Sequence, residues 1–234
     1  MAKSIDKKTS GDFIHGITKG VLGAVPILGT AAAEFFGYIV SPPLEKRRIE
    51  FMNDLAERLK ELEERRGIDL YELGNNEHFI DVALQAVSFA LRTSRKEKID
   101  AFKNVVLNTA CAYSLDETMT QIFLNQLDRF TSWHLKVLDS LDNPLNWQKY
   151  GNERAFMRQG EVVTTMIDLS QFLQNTYPEL NDKKLLIRII WNDLKNECLI
   201  HKNLELSSHR VVDGILKERL TEMGKEFLRF IRFV

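Results

Sequence analysis

Apolar residues recur at steps of three and four along most of this chain, a pattern that predicts amphipathic helices. In LEKRRIEFMNDLAERLKELEERRG, Met52, Leu55, Leu59 and Leu62 share one face, and Gly67 ends the pattern. Charges such as Glu57 and Lys60 read as its solvated face. In NNEHFIDVALQAVSFALRTS the spacing joins Phe79, Val82, Ala83, Ala86, Val87 and Ala90, with Asn76 placed to cap the first turn. Ile99, Phe102, Val106 and Ala110 repeat it in SRKEKIDAFKNVVLNTACAYS. LDETMTQIFLNQLDRFTSWHLKVLDSLDNP holds one long helix or two, closed by Pro144. Strand-period alternation is missing, so residues 1–143 are expected to form a helical bundle.

One stretch breaks the amphipathic rule. GVLGAVPILGTAAAEFFGYIV, Gly20 to Val40, is apolar all round and rich in small residues, with Glu34 as its one charge. Val21 to Val40 just reaches the roughly 20 residues that a membrane-spanning helix needs. Gly29, Ala33 and Gly37 recur every fourth residue, and Gly16 and Gly20 share that spacing. Such a stripe of small residues lets helices pack backbone to backbone. The soluble alternative is a helix buried in the bundle, whose first half Gly20, Gly23, Pro26 and Gly29 disfavour, or a hairpin broken near PILG. Pro42-Pro43 is expected to end this first element. The basic lead MAKSIDKKTSGDFIHGITKG is long and no A-x-A site follows, so a cleaved secretory signal is not expected.

Residues 144–160, polar and punctuated by proline and glycine, are the expected linker. Beyond it, EVVTTMIDLSQFLQNTYPEL and NDKKLLIRIIWNDLKNECLI predict two helices. HKNLELSSHRVVDGILKERL then carries β-compatible pieces and an Asp-Gly turn signal. LTEMGKEFLRFIRFV closes the chain as a helix opened by a Thr221 cap. This order, with its Leu-Thr start and following glycine, resembles the winged-helix domains of bacterial regulators over residues 161–234. The resemblance makes NDKKLLIRIIWNDLKNECLI a recognition helix and KNLELSSHRVVDG a wing. The expected fold is mainly α: an N-terminal bundle followed by a winged-helix-like α+β domain.

Composition narrows the chemistry. The net charge of −1 argues against a strongly basic nucleic-acid binder. Cys111 and Cys198, far apart, suggest no disulfide framework and fit the cytoplasm, with the inner membrane as the other place of action. No G-x-S-x-G, P-loop, G-x-G-x-x-G or H-E-x-x-H occurs, so no catalytic site or cofactor is expected. Cys198, His201 and His209 lie close in sequence but lack a fourth zinc ligand, so no metal is expected. Glu153 and Glu161 have no supporting histidine and read as surface.

Lys183, Lys184 and Arg188 cluster near the start of the presumed recognition helix, and His209 and Arg210 would sit in the wing. Asp182, Asp193 and Glu197 share that helix, and Leu185, Leu186, Ile189 and Ile190 leave it little exposed face. Three or four cations would support only weak DNA binding.

The apolar N-terminal segment with its charged following helix is similar to HeLo-type and related bacterial cell-death domains, over residues 10 to 115. That similarity implies a toxin or phage-defence effector. The expectation is a non-enzymatic bacterial effector, membrane-associated or self-assembling through residues 20–40, forming a homo-oligomer. Its C-terminal module would dock a protein partner. The alternative is a soluble DNA-binding or regulatory protein, or a scaffold subunit of a larger assembly.

Overall fold

A computed structural model describes residues 30–111, 115–142, 157–158, 161–162, 169–206 and 219–233. For 30–42 and the two short strands it describes the backbone alone. The described chain is mainly α-helical. Its elements run α1 (Thr30–Arg66), α2 (Leu70–Leu73), α3 (Glu77–Leu91), α4 (Lys96–Ala110), α5 (Glu117–Arg129), α6 (Ser132–Asp142), β1 (Met157–Arg158) and β2 (Glu161–Val162). They continue with α7 (Leu169–Thr176), a 3-10 turn at Pro178–Leu180, α8 (Lys184–Asn196) and α9 (Glu222–Ile231). The chain divides into two units: Met1–Leu127 with Ile231–Val234, and Asp128–Phe230.

In unit 1 the helical periodicity becomes a core. Phe79, Val82, Ala83, Ala86, Val87 and Ala90 of α3 are all buried, and α3 packs on α4, which buries Phe102, Val105 and Val106. Alanine at positions 83, 86 and 90 lets the two backbones approach closely. α1 packs on both, burying Phe51, Met52, Leu55 and Leu62. The Asn76 side chain accepts the Phe79 N–H at 3.0 Å, as its cap position requires. Gly67, at φ 67°, ends α1 in the left-handed conformation, and its N–H donates to the Glu63 carbonyl at 3.1 Å. Lys103 of α4, itself buried, pairs with Asp54 of α1 and lies 5.5 Å above the Phe51 ring. The Asn104 and Asn108 amides donate to the carbonyls of Ile231 (3.0 Å) and Arg232 (2.7 Å), tying residues 231–233 to this unit.

Pro42-Pro43 does not end a helix: α1 runs through both without a break. Proline's fixed φ is itself helical, and what it removes is a donor to the carbonyl four residues earlier. Two lost bonds are tolerated here within a helix of 37 residues. No described helix is long and apolar enough to cross a membrane. The described part of the apolar run, residues 30–40, spans about 16 Å at the helical rise, half a bilayer core. Gly20 to Gly29 lies outside the described residues.

Unit 2 holds α6 to α8 and most of α9. Among the described residues Trp191 is the largest side chain buried there, and its indole N–H donates to the Leu204 carbonyl at 3.2 Å. Trp133 meets Tyr177 edge-on at 5.6 Å, and the Tyr177 hydroxyl donates to the Lys136 carbonyl at 3.1 Å. Thr221 caps α9: its hydroxyl accepts the Gly224 N–H at 3.0 Å and donates to the Cys198 carbonyl at 2.5 Å. Gly224 is required by proximity, since a Cβ there would stand 2.0 Å from the Leu199 carbonyl oxygen.

The winged-helix expectation for residues 161–234 is not supported. Among the described residues, extended pairing is confined to β1 with β2, two residues each, and to a single bridge between Ile200 and Leu220. After Ile200 the chain turns, the Leu204 N–H donating to the His201 carbonyl at 3.0 Å. The Leu204 carbonyl meanwhile serves Trp191, so neither group of Leu204 joins a ladder. The Asp-Gly turn signal, and His209 and Arg210, lie outside the described residues, as does the expected linker 144–160 apart from β1.

Candidate functional site

α8 is the element that carries the sequence-derived cations, and its two faces differ sharply. Ile187, Ile190, Trp191 and Leu194 are buried in unit 2. On the outer face Leu185 is 70% exposed and Ile189 48% exposed. Lys183, Lys184, Arg188 and Asn192 are exposed beside them. The expectation that Leu185, Leu186, Ile189 and Ile190 leave this helix little exposed face is therefore corrected for Leu185 and Ile189. Helical geometry allows one apolar stripe toward the core, and Ile187, Ile190, Trp191 and Leu194 fill it.

Local chemistry fixes both ends of this helix. Before it, Asp182 takes φ 61°, and the Lys183 N–H donates to the Leu180 carbonyl at 3.1 Å. After it, Cys198 takes φ 58°. The Leu199 N–H reaches the Leu194 carbonyl at 3.0 Å, and the Cys198 N–H reaches that of Lys195 at 3.0 Å. This is a Schellman closure with cysteine where glycine is usual, backed by the buried Leu194 and Leu199.

The acidic residues of α8 and its C-terminal turn are occupied. Asp193 meets His134 at 3.1 Å, and Glu197 meets Arg129 at 2.6 Å. Lys195 pairs with Glu205 at 3.1 Å. Lys183, Lys184 and Arg188, by contrast, form no ion pair among the described residues. The N-terminal half of the outer face thus offers three cations around two exposed aliphatic side chains, with the exposed Asp182 at its edge.

The structure adds two features that the sequence did not announce. Thr131, His134 and Asp193 form a chain: the Thr131 N–H donates to His134 Nδ1 at 3.1 Å, and His134 Nε2 faces Asp193. The buried imidazole stacks on Phe130 at 4.9 Å. Nδ1 accepts a backbone donor at the start of α6, so the histidine acts as a helix cap. The spacing Thr-x-x-His, close to the capping pattern Ser/Thr-x-x-Glu, is the signal that could have found it. The second feature, in unit 1, is a cleft of about 280 Å³ between α3 and α5, lined by Glu77, His78, Asp81, Gln85, Glu117, Thr120 and Gln121.

Among the described residues the remaining candidates are not brought together. Ala33 and Gly37 lie four residues apart in α1, while Gly16, Gly20 and Gly29 are outside the described residues. Among the described residues no three His, Cys, Asp or Glu side chains could hold a metal ion. Of the zinc candidates, His209 is not described. No family model, no curated protein and no solved structure matches this chain, so neither resemblance drawn from the sequence gains a counterpart.

Proposed function

We propose that this chain is a non-enzymatic effector or adaptor that acts by docking a protein partner through the outer face of α8. The observation that carries this reading is the exposure of Leu185 and Ile189, the most exposed aliphatic pair on one helix among the described residues, beside three cations that form no ion pair there. Burying such a pair against a partner removes apolar surface from water, while the surrounding charges favour an acidic rim opposite. Nucleic acid is the second reading, favoured by Lys183, Lys184 and Arg188. Phosphate contact makes no use of the aliphatic centre, and three cations give only a shallow salt dependence. The effector role would then follow from what is bound, with the Gly/Ala-rich segment contributing membrane binding or self-association.

A photo-crosslinking amino acid placed at Leu185 in cells tests this, with Glu57, an exposed position on α1, as the control. The expected outcome is a protein adduct from position 185 and none from position 57. Adducts to nucleic acid would move the reading to its alternative, and no specific adduct from 185 would remove it.

A further inference from the structure

We propose that the α8 face docks into the α3/α5 cleft of a second copy of this chain. The inference rests on the docking reading above and names the partner. The two surfaces match in kind. Around α8, Lys183, Lys184 and Arg188 surround the exposed Leu185 and Ile189. Around the cleft, Glu77, Asp81 and Glu117 are exposed, and none forms an ion pair among the described residues. The same two helices expose two further aliphatic residues: Leu84, one turn after Asp81 on α3, and Ile122, next to Gln121 on α5. Three cations and two aliphatic side chains thus find three anions and two aliphatic side chains.

Polar side chains also line the cleft, Thr120 among them. The amides of Gln85 and Gln121 stand in the same lining, and Asn192 and Asn196 are exposed along α8. Each copy carries one α8 face and one cleft, so the contact either closes reciprocally as a two-fold dimer or runs head to tail into rings or filaments.

Sedimentation equilibrium at low salt, over a range of concentrations, tests this with charge exchange. The wild-type chain is expected to exceed the monomer mass of 27.1 kDa as concentration rises. Lys184→Glu with Arg188→Glu, and separately Asp81→Lys with Glu117→Lys, are each expected to weaken association by about 100-fold. An equimolar mixture of the two variants restores it, because reversed α8 then faces reversed cleft. That recovery also shows both variants to be folded. A wild-type chain that stays at 27.1 kDa throughout overturns self-docking. In that case a heterologous adduct from position 185 keeps the docking reading intact. Association that neither reversal weakens, or that mixing fails to restore, overturns it equally.

Discussion

His134 Nε2 stands 3.1 Å from Asp193 Oδ2 and links α6 to α8. Because the Thr131 N–H donates to Nδ1, the ring proton sits on Nε2 and donates to the carboxylate. Removing the imidazole leaves the Thr131 N–H without its acceptor and Phe130 without its stacked ring. His134→Ala is expected to cost about 2–3 kcal/mol in urea unfolding. Asp193→Asn keeps an acceptor oxygen and should cost about 1 kcal/mol or less.

Two glycines separate conformational from steric cost. Gly67 has φ 67°, but nothing lies within 4 Å of the place a Cβ would take, so Gly67→Ala meets backbone strain alone, about 1–2 kcal/mol. Gly224→Ala drives its Cβ against the Leu199 carbonyl, 2.0 Å away. The α9 cap and the Ile200–Leu220 bridge must then shift, and a loss of about 3 kcal/mol or more is expected. Thermal denaturation of the two variants side by side checks the order.

Cys198 occupies the left-handed position that closes α8. Cys198→Gly relieves that strain at the cost of a more flexible unfolded chain. The net expectation, read from urea unfolding, is a gain of about 0.5–1 kcal/mol, whereas Cys198→Ala gives none.

The Asp54–Lys103 pair sets an acid response in unit 1. Burial pushes the Asp54 carboxyl up, but Lys103 and Arg58 outweigh it and hold the group below its ordinary value of 3.8. A depressed carboxylate stabilises the fold above its unfolded pKa and loses that contribution as pH falls through the folded value. The loss therefore falls below about pH 4, and Asp54→Asn should flatten the stability profile there. At neutral pH, Asp54→Ala should destabilise more than Lys103→Met, because it leaves a buried ammonium without its partner.

The helices α3 and α4 were legible because every third or fourth residue is apolar, and α3 opens on the capping Asn76. The passage of α1 through Pro42-Pro43 was not, because proline's helical φ and its missing donor point in opposite directions. The Leu-Thr-x-x-Gly start of α9 read as a family signature, but locally it is a Thr221 cap and a close carbonyl. Of the candidate surface, Lys183, Lys184 and Arg188 were legible as a cluster. Leu185 and Ile189 were not: an aliphatic residue beside Ile187 and Ile190 carries no local mark of which one the core has room for.

Whether those two side chains serve binding or folding is directly measurable. Urea unfolding of Leu185→Ser with Ile189→Ser, at concentrations where the wild-type chain is monomeric, should give a free energy within about 0.5 kcal/mol of wild type. A loss of about 2 kcal/mol or more, the scale of a core truncation, would place Leu185 and Ile189 in the fold and contradict the docking face.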